Sequence, residues 1–140
     1  MMSQKQKILD FIKRNKLMVI STINPQGIPQ SAVLEFGETD NLEIIFDTFN
    51  TARKYRNLKH NQNISLVIGW DENITVQYDG EAIELEGEEL KRYKKFYFKK
   101  NPEAQRWEKR QGIRYFKTLP KWVRYSDLNK DPWEVIELEF

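Results

Sequence analysis

Hydrophobic and polar residues change period along the chain, and the changes mark out its elements. Ile8, Phe11 and Ile12 repeat at i, i+3, i+4, which predicts a first helix ending near Asn15. From Leu17 the period becomes that of a strand. LMVISTI (17–23) is β-rich, and Asn24-Pro25-Gln26-Gly27 is a turn. Ile28 to Phe36 resumes an extended pattern, with Ile28, Ala32, Leu34 and Phe36 on one face. Pro29 suits a strand start or an edge. Gly37 to Asn41 reads as a second turn, and Leu42 to Thr48 as a strand with Leu42, Ile44 and Phe46 toward the core.

Thr51 to His60 predicts a short helix, capped by Asn50 or Thr51 and burying Ala52, Tyr55 and Leu58. ISLVIGW (64–70) is the next strand. Neither of its faces is charged, so cover is expected on both sides, the second from a partner subunit or a bound cofactor. Ile74 to Leu85 follows, with a bulge expected at Gly80. Glu88 to Lys99 predicts a helix striped by Leu90, Tyr93 and Tyr97. Asn101-Pro102 opens another helix running to about Arg110. Ile113–Leu119, Lys121–Tyr125 and Glu134–Phe140 read as extended segments. Many short strands, tight turns and few helices favour an antiparallel barrel over a βαβ fold. The chain reads as one domain over residues 1–140.

Composition narrows the chemistry. There is no cysteine, which excludes disulfides, thiolate metal sites and cysteine nucleophiles. The 23 basic and 21 acidic residues nearly balance, unlike the concentrated excess of a nucleic-acid binder. No apolar run reaches the roughly 20 residues of a membrane-spanning helix. The charged N-terminal stretch lacks the apolar centre of a signal peptide, so a soluble cytoplasmic protein is expected. Lys91 to Lys100 interleaves bases and aromatics, a pattern that could meet nucleic acid, but an amphipathic helix with solvated lysines accounts for it. Glu81, Glu84, Glu86, Glu88 and Glu89 read as a solvated face. Without histidine partners no metal site is expected, and there is no G-x-S-x-G or P-loop.

The segment Phe46-Asp47-Thr48-Phe49-Asn50-Thr51-Ala52-Arg53-Lys54 carries the clearest chemical signal. A strand ends in a hydroxyl, and a helix opens with two cations. Cations disfavour a helix N-terminus unless an anion sits there. Thr48, the free N–H groups of the first turn, Arg53 and Lys54 can therefore cradle a phosphate. An ordinary solvated helix start is the competing reading.

Thr48, Arg53-Lys54, Asn57-Leu58, Asn61, SLVIGW and the Gly80–Ala82 strand follow one another in an order that resembles the FMN-binding split-barrel family related to pyridoxamine 5′-phosphate oxidase. The resemblance covers about Leu17 to Leu85, and the C-terminal strands more loosely. It implies a split antiparallel β-barrel and a homodimer with FMN at its interface. It also implies FMN-phosphate ligands at Thr48, Arg53 and Lys54, with Asp47 beside them. The backbone of Ala32, Val33 and Leu34 would lie along the flavin ring. Thr75 or Gln77 would bond its edge, and Trp122 and Arg124 of the second subunit would close the site; Trp122 could equally be a core or interface anchor.

Two departures matter. No basic residue stands near Ala32, and the Arg-x-His element that grips pyridoxamine phosphate is missing, so oxidation of vitamin B6 is not expected. A flavin-dependent oxidoreductase taking electrons from a donor such as a reduced nicotinamide is the first expectation, with no nucleic-acid or membrane partner. A non-catalytic flavin carrier or sensor is the alternative, as is a haem-binding barrel using the lone histidine, His60.

Overall fold

The computed structural model describes residues 2–140. The first helix, α1 (Gln4–Lys13), starts at Ser3, whose side chain accepts from the Gln6 N–H, and buries Ile8, Leu9, Phe11 and Ile12. β1 (Leu17–Ile23) and β2 (Pro29–Glu35) form a hairpin. Its turn is fixed by the Asn24 side chain, which accepts from the N–H groups of Gln26 and Ile28, and by Gly27 at φ +82°. A two-residue strand, β3 (Gly37–Glu38), occupies the start of the expected second turn and pairs with β4 (Ile44–Phe49). Leu42 lies in the turn before β4, at φ +62°, with its side chain still buried.

The helix α2 (Arg53–His60) follows, then β5 (Asn63–Ile68), β6 (Ile74–Glu84) and α3 (Gly87–Lys100). Pro102–Trp107 is a 3-10 helix, not the α-helix expected to run to Arg110. β7 (Ile113–Asp127) is a single strand of 15 residues where two segments were expected, and β8 (Glu134–Glu139) closes the chain. Pro120 survives within β7 because it sits beside a bulge. The slip falls between Asp79 and Gly80, as Gly80 suggested, and the extra residue is Lys121 on the facing strand.

All strands pair antiparallel, in the order β2-β1-β5-β6-β7-β4-β3, with β8 also on β7. Eight antiparallel strands with few helices make a curled half-barrel, the split barrel anticipated from the sequence. Its inner face carries Ile20, Leu66, Tyr78 and Val123, with Phe46 stacked on Phe116 and α1 packed over them. A second cluster of Ile45, Tyr93, Tyr97 and Tyr115 lies under α3. That helix buries Tyr93 and Tyr97 and holds Lys91 and Lys94 in ion pairs, as an amphipathic helix does.

The opposite sheet face is largely uncovered. Val33, Val19, Val67, Gln77, Arg124 and Glu137 form one row across it, and Val33 is 59% exposed. Strand β5 is thus covered on one side, with Ser65 and Val67 facing outward. Trp70 leaves the face expected for it because Gly69 turns the chain at φ +81°, so its ring is 52% exposed.

Inside, the Tyr78 hydroxyl donates to the Leu42 carbonyl at 2.7 Å and accepts from Thr118, whose oxygen accepts from the Ile44 N–H. Removing that hydroxyl strands the buried Leu42 carbonyl. Tyr78→Phe is expected to cost about 1–3 kcal/mol. Urea unfolding would register this as a lower midpoint at unchanged m-value.

Candidate functional site

β4 delivers Thr48 to the inner side of the sheet, nearly buried. Asn50 then donates its N–H to the Gly112 carbonyl, and its side chain lies against Gly112. This use takes Asn50 away from the capping role expected of it. Ala52 occupies the cap position, and no side chain caps α2. The Ala52 and Tyr55 N–H groups bond the Phe49 and Ala52 carbonyls, so those of Arg53 and Lys54 are the first-turn donors left for solvent or a ligand.

Lys54 reaches back along the loop, with Nζ 3.5 Å from the Thr48 hydroxyl. Burial holds its ammonium below the ordinary lysine value, Asp47 opposing and Arg53 adding to the shift. Among the described residues no carboxylate lies within 4 Å of Arg53, Lys54 or Arg56, whereas Lys59, at the other end of α2, pairs with Glu84.

Beneath Arg53 and Lys54 is a cavity of about 120 Å³ lined also by Ile20, Thr22, Gln30, Ala32 and Asn57. Asn57 was not singled out as a binding residue from the sequence, yet it fixes this geometry. It is 3% exposed and donates to the Thr22 hydroxyl and the Gln30 side-chain oxygen, both at 2.9 Å. The helix is thereby tied to the β1–β2 hairpin. A polar residue beside Leu58, on the buried face of a short helix, was the available signal.

The other candidate residues divide between the two faces of the sheet. Ala32 and Leu34 pack toward the core, while Val33 points outward. Thr75 and Gln77 on β6, and Trp122 and Arg124 on β7, share that outer face, where Arg124 pairs with Glu137 at 2.8 Å. Gln77 stands three strand spacings from Val33, about 14 Å. None of these four lines the cavity at Lys54. Asp47, adjacent to Thr48 on a strand, points the opposite way, beneath α3 beside Tyr97 and Tyr115, and burial raises its pKa. His60 is exposed and lines a separate cavity with Lys59, Glu81 and Glu84. Of the clustered carboxylates, Glu81, Glu84 and Glu89 pair with Lys121, Lys59 and Lys117. Among the described residues no set of three His, Cys, Asp or Glu side chains can hold a metal ion, and no helix is long and apolar enough to cross a membrane.

The family model described as pyridoxamine 5′-phosphate oxidase matches residues 4–127. The chain belongs to the pyridoxamine 5′-phosphate oxidase family. Several solved structures are similar to this chain. The general stress protein 26 of Bacillus anthracis is 25% identical, over 98% of this chain and 100% of that one, with TM-score 0.74. A haem-binding protein from Mycobacterium smegmatis is 16% identical with TM-score 0.86, and Campylobacter jejuni ChuZ is 17% identical with TM-score 0.81. This chain is covered to 99% and 96% in those two comparisons but spans only 59% and 58% of their lengths. At these identities the likeness is one of fold. A sequence search of curated proteins found no match.

Two outcomes are expected at this site. Asn57→Ala removes both tethers and should cost about 1–3 kcal/mol of stability, read from thermal unfolding. A bound anion favours charged Lys54, so its pKa is higher in the complex than in the free protein. Affinity for inorganic phosphate should therefore fall as pH rises through the lowered free-state value and level off above the bound-state value. Calorimetry at alkaline pH should find that fall in the native protein and not in Lys54→Arg, which stays charged.

Proposed function

We propose that this chain binds FMN through its phosphate, as a homodimer, and acts as a flavin-dependent oxidoreductase. The observation that carries the reading is the half-buried Lys54, which has no carboxylate partner, touches the Thr48 hydroxyl and lines a small cavity with Arg53 at the uncapped start of α2. The absent basic residue near Ala32 leaves Arg53 and Lys54 as the cations that line this cavity. Bound flavin would supply the redox chemistry, and the protein's share is to hold the phosphate, orient the ring and exclude water.

A cavity of about 120 Å³ is below the roughly 300–1,000 Å³ usual for a cofactor site. It suits the phosphate end, and a second copy must close over the rest. The exposed outer face with its row of valines is the surface offered for that, and Thr75, Gln77, Trp122 and Arg124 lie on it. A reduced nicotinamide is the electron donor to try first, on a substrate that is a small molecule. The family's B6 substrate is not proposed, because the Arg-x-His element is missing.

Purified protein mixed with FMN should carry the flavin absorption band through gel filtration, at the mass of a dimer. Each charged hydrogen bond is worth about 1.5–3 kcal/mol, so the Arg53→Ala/Lys54→Ala double variant should bind FMN at least about a hundredfold more weakly. A double variant with native affinity would sink the cradle. Bleaching of the flavin band by NADH under anaerobic conditions would distinguish an enzyme from a carrier.

Haem binding is the second reading, favoured by the M. smegmatis relative, which is described as haem-binding. His60 is the one histidine available as an axial ligand, and it stands in a different cavity from Lys54. A haem Soret band lost in His60→Ala, with FMN binding intact, would support that reading.

A further inference from the structure

Next to the cavity at Lys54 lies a second one of about 310 Å³, between the β1–β2 turn and the first two turns of α2. Asn24, Gln26, Gln30, Arg53, Arg56 and Asn57 line it. The two cavities share Gln30, Arg53 and Asn57, so Arg53 stands between them. Arg56 follows Arg53 by one helical turn, on the same side of α2, and is exposed with no carboxylate within 4 Å among the described residues.

The chemistry of the walls sets these two apart. The cavity at His60 includes Glu81 and Glu84, and the two against α3 include Glu88 with Glu108 and Glu38 with Asp40. The two cavities meeting at Arg53 have no carboxylate in their walls, in a chain with 21 acidic residues. Three cations crowd the first four residues of α2, where their mutual repulsion and the helix dipole both work against the fold. One phosphate offsets Lys54 and Arg53. It leaves Arg56, which faces the second cavity only. The turn opposite is held rigid by the Asn24 side chain, so the width of the second cavity is set by the fold.

We propose that the second cavity takes a second phosphoryl group of the same ligand, and that the site is built for a diphosphate. Lys54 and Arg53 hold one phosphoryl group, and Arg53 and Arg56 the other, each guanidinium offering its planar fork to oxygen. A flavin dinucleotide and a nicotinamide dinucleotide both carry this group. The inference rests on the anion-binding reading of α2 and extends it from a mononucleotide to a dinucleotide.

The test measures dissociation constants of FMN, FAD, NADH, ADP and AMP for the native chain and for Arg56→Gln, by calorimetry and flavin fluorescence. ADP should bind at least about tenfold more tightly than AMP. Arg56→Gln should weaken FAD, NADH and ADP about tenfold and change FMN and AMP less than twofold. The tighter of FAD and NADH identifies the dinucleotide. FMN bound with FAD, NADH and ADP excluded would overturn the diphosphate proposal and leave the phosphate cradle standing. So would an Arg56→Gln variant that weakens mono- and diphosphates alike, or neither. Failure of every ligand, FMN included, would overturn both. Arg56 is exposed, and a native circular dichroism spectrum of the variant would exclude misfolding as the cause.

Discussion

Between Asp79 and Gly80 the register of β6 against β7 slips by one residue, and both halves of the sheet take their direction from that slip. A side chain at Gly80 would meet the Leu119 carbonyl oxygen at 2.3 Å, so only glycine allows the strands this close. On one side of the bulge β7 pairs with β4, and on the other with β8. The bend lets one strand serve two neighbours on the same edge and curls the sheet into a half-barrel. β4 ends at the loop that opens α2, so the position of Thr48 under Lys54 depends on the path of β7. The Asn57 tether then locks α2 onto the far hairpin. Barrel curvature and one buried amide together set the width of the candidate site.

Much of this was legible in the residues. The stripe Ile8, Phe11, Ile12 and the alternation in β1, β5 and β6 declared their elements through period alone. What the pattern missed has specific causes. Leu42 is buried, so it looked like strand, but its backbone sits in a turn at positive φ. Pro120 suggested a break in β7, because the bulge that accommodates a proline depends on a facing strand. Asn50 looked like a cap, but its backbone N–H bonds the carbonyl of Gly112, distant in sequence, and its side chain lies against that residue. In the last two cases a long-range contact outvoted a sound local preference.

The site was legible in the same uneven way. Arg53 and Lys54 stood out because cations at a helix start are electrostatically misplaced. Neighbouring residues on a strand face opposite ways, so Asp47 and Thr48 could not both line one cavity. That consequence of strand geometry was available from the sequence alone. Thr22, Gln30 and Asn57 were less visible, since their significance lies in meeting across a hairpin and a helix.

The division of the candidates between two faces is itself a constraint on how the protein can work. A single chain presents cations on the inner side, at α2, and Gln77, Trp122 and Arg124 on the outer side. No flat ring can touch both faces of one sheet. A ligand anchored at α2 must leave its cavity over the rim of the β1–β2 hairpin, where Val33 already faces outward. On the reading proposed above, the outer-face residues that meet it belong to the second copy, brought there as the two sheet faces come together. Placing Arg124 against that ligand would require breaking its 2.8 Å pair with Glu137 or using the two together. Since freeing a paired guanidinium costs free energy that the ligand must offset, Arg124 would favour an anionic or strongly accepting group over a neutral one.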